Sequence, residues 1–124
     1  MTVTDRVVLL AEPDQASSML YQHVLRTAFE VVAAADKETV LRILHTRPID
    51  VFVLDPMIFA IHRWEQLTVL SCICAERGIP LVLCSTLDER RRGIELGATL
   101  YLIKPTLPVT LLDTLQQVLG IGRI

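Results

Sequence analysis

Apolar residues along this chain fall into two patterns. One is the short unbroken run, as in residues 7–11, 51–54 and 81–84. Runs of that length suit parallel strands covered on both faces by helices. The other is recurrence every three or four residues between the runs, which marks amphipathic helices. Read with the punctuation of Pro, Gly and Asp, the two patterns predict five strand–helix pairs. Strand one covers residues 6–11. Pro13 and Asp14 open a helix that runs to about Ala28, with Leu20, Val24 and Leu25 on its buried stripe. Strand two covers about 30–34, and Asp36 caps a helix to His45 with Val40, Leu41 and Leu44 inward. Strand three covers 51–54 and ends at Asp55. A loop over 56–62 leads to a helix over 63–77, with Gly78 as its C-terminal cap. Strand four covers 80–84, and Asp88 opens a short helix that stops before Gly97. Strand five covers 99–103, and a last helix covers 108–119.

Strand–helix alternation with short connections predicts an α/β fold: a doubly wound, five-stranded parallel sheet with helices on both faces. The expected strand order is 2-1-3-4-5, because strands one and three, whose ends carry acids, must be neighbours to share a site. The 124 residues amount to one domain, 1–124, with its core over about 6–119.

Composition narrows the function classes. Hydrophobic residues make up 52% of the chain, which excludes a disordered segment. No apolar run approaches the ~18–20 residues of a spanning helix, so no membrane partner is expected. No signal-peptide pattern opens the chain, which points to a cytoplasmic protein. The net charge of -2 leaves no basic face for nucleic acid. The one basic cluster, Arg90-Arg91-Arg92, reads as a solvated helix face. Cys72 and Cys74 lie about 200° apart on a helix, unsuited to sharing one metal. Both are expected to pack in the core, and Trp64 to pack at the start of its helix.

In open parallel sheets, sites lie beyond the carboxyl ends of the strands. Strand one delivers Glu12, Pro13 and Asp14 there, strand three Asp55, strand four Ser85, and strand five Lys104. Two carboxylates at ~4 Å repel by about 4 kcal/mol at an effective dielectric near 20. A hard cation such as Mg²⁺ relieves that repulsion. A carboxylate can also act as a nucleophile and form an acyl phosphate. The phosphoryl charge would then be spread over a metal, a lysine and hydroxyl or amide donors.

With those residues in place, the chain resembles the receiver domain of bacterial two-component response regulators (CheY-like). The resemblance spans residues 7–119. It is carried by Val8-Leu9-Leu10-Ala11-Glu12, Ile49-Asp50-Val51-Phe52-Val53-Leu54-Asp55 and Ile79-Pro80-Leu81-Val82-Leu83-Cys84-Ser85. The most specific segment is Gly97-Ala98-Thr99-Leu100-Tyr101-Leu102-Ile103-Lys104-Pro105. The resemblance implies that Asp55 is the phosphoacceptor, with Ser85 and Lys104 contacting the phosphoryl group. Tyr101 is implied as the aromatic that moves with Ser85. The implied Mg²⁺ ligands are Glu12, Asp55 and the Met57 backbone carbonyl. Asp14 is a secondary candidate, since it falls in the first helical turn and there serves the dipole. The Lys104–Pro105 bond is implied to be cis. The implied partners are a sensor histidine kinase or phosphotransfer protein, and a downstream protein on the face of helix four, strand five and helix five. A second copy of the chain is a further candidate. Such a domain is a switch acting on itself rather than an enzyme.

Three departures qualify the resemblance. The family pattern has two acids after strand one, whereas this chain has Glu12-Pro13. A register shifted by one would put Glu12 in the second place, at the expense of the helix stripe. The loop after Asp55 lacks the family's proline and glycine, reading Ile58-Phe59-Ala60-Ile61-His62-Arg63, and Thr106 replaces a large apolar residue. They leave a second reading open: a pseudo-receiver working as a phosphorylation-independent interaction module. A flavodoxin-like redox protein shares the fold class but needs a phosphate loop after strand one, where the acidic Glu12-Pro13-Asp14 would repel a phosphate.

Overall fold

The structure is a computed structural model that describes residues 5–121. Among those residues, five strands, β1 (Val7–Ala11), β2 (Glu30–Ala34), β3 (Val51–Leu54), β4 (Leu81–Ser85) and β5 (Leu100–Ile103), form one parallel sheet. The order is β2-β1-β3-β4-β5, as expected from the alternation together with the acid-bearing ends of strands one and three. Among the described residues, five helices connect and close the sheet: α1 (Gln15–Leu25), α2 (Lys37–Thr46), α3 (Arg63–Arg77), α4 (Arg90–Glu95) and α5 (Pro108–Leu119). A single 3₁₀ turn, Pro56–Ile58, follows β3. Among the described residues no helix is long and apolar enough to cross a membrane.

Side-chain alternation splits the core into two layers. Leu9, Phe52, Leu54, Leu81 and Leu83 pack on one face with Val40, Ile43 and Leu44 of α2 and Leu67, Leu70 and Cys74 of α3. Val8, Leu10, Val51, Val53 and Val82 pack on the other face with Tyr21 and Leu25 of α1 and Leu111 and Leu115 of α5. β1, β3 and β4 are buried along their whole length, which is why their sequences read as unbroken apolar runs. The helix ends follow local chemistry. The Asp36 carboxylate accepts the Thr39 amide at 2.8 Å, and Gly78 takes a left-handed conformation (φ 67°) that closes α3.

Several details differ from the sequence reading. The buried stripe of α1 is Ser18, Tyr21 and Leu25; Leu20 is 64% exposed and Val24 only half-buried. Tyr21 wins the inward place because its hydroxyl reaches the Thr106 carbonyl at 3.0 Å, satisfying its polar end while its ring fills the layer. The helix stops at Leu25 rather than Ala28, because the Thr27 amide bonds back three residues to the Val24 carbonyl. Cys72 is exposed while Cys74 is buried, since the same 200° divergence that separates them cannot put both inside. The basic cluster is not wholly solvated. Arg90 and Arg91 pair with Asp88 and Glu95 at the surface, but the Arg92 guanidinium lies 4.3 Å from the Trp64 ring centroid.

Candidate functional site

The register of the sheet builds the site. Ala11 of β1 is the partner of Leu54 of β3, so Glu12 and Asp55 leave neighbouring strands side by side. The Asp55 amide donates to the Ala11 carbonyl at 2.9 Å, and the Glu12 amide to the Ala34 carbonyl at 3.0 Å, extending the ladder one step past the strands. On the other side of the sheet centre, Ser85 is the partner of Ile103, and the Lys104 amide donates to the Ser85 carbonyl at 2.8 Å. Glu12, Asp55, Ser85 and Lys104 therefore share one rim.

Their side chains meet there. The Lys104 ammonium donates to Glu12 Oε1 at 2.5 Å and to Asp55 Oδ2 at 2.7 Å. Both acids are nearly out of solvent, Glu12 at 3% exposed and Asp55 at 6%. Burial alone would lower the Lys104 pKa, but its hydrogen bonds to Asp55 and Glu12 outweigh that and hold it above the ordinary range. The remaining carboxylate oxygens are also occupied. Glu12 Oε2 accepts the Asp14 amide at 3.0 Å, and Asp55 Oδ1 accepts the Met57 amide at 2.9 Å. Each of the four carboxylate oxygens thus has a donor within the chain.

The other candidates are spread around this pair. Ser85 is fully buried, and its hydroxyl oxygen accepts the Leu87 amide at 3.0 Å. Tyr101 is turned inward, 7% exposed, with its hydroxyl donating to the Leu87 carbonyl at 2.6 Å. Burial raises its phenol pKa, against smaller opposing effects from the nearby Ser85 hydroxyl and Glu89 backbone. Ser85 and Tyr101 therefore grip the same residue of the β4–α4 loop, one through each backbone group. Met57 sits on the 3₁₀ turn beside Asp55, half exposed. The Asp14 carboxylate bonds to Ser17, whereas the Lys104 ammonium bonds to Glu12 and Asp55. The Asp14 carboxylate caps α1, accepting the Ser17 amide at 2.9 Å and the Ser17 hydroxyl at 2.6 Å, which lowers its pKa. Pro13 is exposed. The Lys104–Pro105 bond is cis.

Two contributors escape the sequence reading. Tyr21 reaches from α1 to Thr106, two residues past Lys104, and so ties the lysine's loop to the helix layer. Arg63 Nε donates to the Pro56 carbonyl at 3.2 Å, tying the turn after Asp55 to α3. A polar-tipped aromatic at a helical position facing the sheet is the signal that could have found Tyr21.

The donor set allows a small hard cation. Mg²⁺ keeps most of its waters and leans on one or two carboxylates plus a phosphate. Glu12 and Asp55 supply two buried carboxylates on one rim. Among the described residues, no group of three or more His, Cys, Asp or Glu side chains could hold a metal together.

No protein-family model matches the chain. The chain is similar to the transcriptional regulatory protein CusR of Escherichia coli (strain K12), with 25% identity over 120 residues, 94% of this chain and 52% of that protein. It spans about half the length of the curated relatives it matches. Among solved structures, it is similar to the chemotaxis response regulator CheY4 of Vibrio cholerae, with 26% identity, 93% of this chain and 99% of that one, and a TM-score of 0.79. The receiver domain of the Francisella response regulator 1452 has the same fold, with a TM-score of 0.82 at 22% identity over 94% of this chain and 98% of that one.

Proposed function

The chain is a CheY-like receiver domain of the response regulators, and from that premise we propose that Asp55 accepts a phosphoryl group from a phosphohistidine on a partner kinase or phosphotransfer protein. The observation that carries this reading is the single ammonium of Lys104 bonded to both Glu12 and Asp55. In the transfer, an Asp55 carboxylate oxygen attacks phosphorus. The phosphorus–nitrogen bond to the imidazole breaks as the new phosphorus–oxygen bond forms. Little covalent chemistry is left for the protein; its work is placing charge. Lys104, already against Asp55, stays to pair with the phosphoryl oxygens. The Ser85 hydroxyl turns from the Leu87 amide to a phosphoryl oxygen.

Mg²⁺, when bound, would neutralise charge on the phosphoryl oxygens, with Asp55, Glu12 and the Met57 carbonyl as the residues to hold it. Ser85 and Tyr101 both hold Leu87, so a change at Ser85 is passed to the loop that enters α4. The downstream partner then reads the face of α4, β5 and α5. The module acts as a switch on itself, in the manner of a two-component signalling domain. Beryllofluoride with Mg²⁺, followed by Trp64 fluorescence, tests this. Trp64 lies against Arg92 of α4, so a saturable change is expected and its absence counts against the reading.

A specific observation favours a second reading. Pro13 stands where the family resemblance places the second acid, and all four oxygens of Glu12 and Asp55 already have donors. A pseudo-receiver with that pocket would work through its surface without phosphorylation. Mg²⁺ titration of the isolated domain separates the two readings: saturable binding belongs to the first, none to the second.

A further inference from the structure

α4 is only six residues long, yet its fourth residue is Gly93, and that glycine is buried. Glycine is a poor choice inside a helix, because it orders at the greatest entropic cost and adds no packing. A buried glycine there calls for a packing reason. A Cβ built on Gly93 would stand 2.5 Å from Tyr101 Cδ2, 2.9 Å from Tyr101 Cε2 and 3.1 Å from Leu83 Cδ1. The first two distances are below any normal carbon–carbon contact. The Tyr101 ring edge therefore lies directly on the α4 backbone, in space that any side chain at position 93 would fill.

The ring is fixed at its other end too. Its hydroxyl holds the Leu87 carbonyl at 2.6 Å, so it cannot slide away from Gly93 along its own axis without breaking that bond. Leu83 belongs to β4 and is fully buried, so it has little room to retreat. Of the neighbours, Tyr101 is the one that can leave, by rotating about its Cα–Cβ bond toward solvent.

We infer that Gly93 is a positioning residue: its missing side chain is the seat that holds Tyr101 in the inward rotamer. Residue 93 thereby biases which way the aromatic of β5 stands before any signal arrives, and with it the surface shared by α4 and β5. The functional consequence rests on the reading of Tyr101 as the link between Ser85 and that face.

The test is Gly93→Ala, without any phosphodonor. Tyr101 and Tyr21 are the only two tyrosines, and Tyr21 is buried on the opposite face of the sheet, so it serves as an internal control. Nitration by tetranitromethane, mapped by peptide mass, reads each ring separately. The expected result is at least a tenfold faster nitration of Tyr101 with Tyr21 unchanged, and a Tyr101 phenol that titrates at lower pH. A Tyr101 that stays as protected as in the parent overturns the inference. A double-mutant cycle with Tyr101→Ala covers the case where Gly93→Ala fails to fold. Rescue of folding by Tyr101→Ala supports the seat, and failure to fold in both backgrounds overturns it. Neither readout involves Asp55, so this inference and the phosphoacceptor reading can fail separately.

Discussion

Lys104 is the residue on which the rim depends. Its ammonium neutralises two buried acids that would otherwise repel each other. Removing one partner of a buried ionic cluster costs about 3–5 kcal/mol, because the other charges stay buried without compensation. Lys104→Met is therefore expected to lower stability by about 3 kcal/mol in urea unfolding. A loss under about 1 kcal/mol, the level of surface pairs, would mean the acids reach solvent after all. Tyr21 gives a pH signature of its own. Burial first, then its charged surroundings, pushes its phenol from 10.0 up to about 12. A folded-state value above the unfolded one favours the protonated form, so its contribution is full below pH 10 and is lost as pH rises through about 12. Melting temperature is expected to fall over that window, and Tyr21→Phe to flatten the fall. An equal alkaline slope in both proteins would assign the loss to other groups. The acids and the lysine were legible from sequence because strand ends in a parallel sheet are where chemistry gathers. Tyr21 was not, because an adjacent leucine competed for the same stripe and only tertiary contact with Thr106 decides between them.

At the scale of elements, the two ends of the site loops show what the departures do. Pro13 is comfortable before the first turn of α1, where a missing N–H goes unnoticed, and Asp14 takes the cap. Pro13→Asp is expected to tighten Mg²⁺ binding in isothermal titration, by adding an oxygen ligand beside Glu12 and Asp55. It is also expected to lower the melting temperature in EDTA, through added repulsion. If the parent already binds Mg²⁺ as tightly as the Asp variant, Pro13 is not what weakens the site. His62, before α3, adopts φ 50°, the only non-glycine residue with positive φ among the described residues. That conformation costs about 1–2 kcal/mol for an L side chain. Glycine would relieve it while adding about 0.5–1 kcal/mol of chain entropy. His62→Gly is thus expected to stabilise the domain by about 0.5 kcal/mol in denaturant unfolding; destabilisation would show that the exposed His62–Glu65 pair matters more than the strain. Strands were legible to within a residue because continuous burial writes itself as continuous apolar sequence. Helix limits were less so. α4 begins at Arg90 rather than Asp88, since Glu89 takes a non-helical conformation (φ -126°) and Leu87 is held by Ser85 and Tyr101.

At the scale of the whole molecule, alternation and handedness leave few topologies, and the acid-bearing ends of strands one and three select the one in which they are neighbours on a single rim. What could not be read is how the parts set one another's conformation. The seat under Tyr101 is a contact between α4 and β5 that only the packed fold brings together. The central claim is that this fold presents Asp55 as a phosphoacceptor. Intact mass spectrometry after incubation with acetyl phosphate and Mg²⁺, run in parallel on the parent protein and on Asp55→Asn, tests it most directly. The expected result is a gain of one phosphoryl group in the parent and none in the Asn variant, with both folded alike by circular dichroism. Equal labelling of the two proteins, or no labelling of the parent, would contradict it.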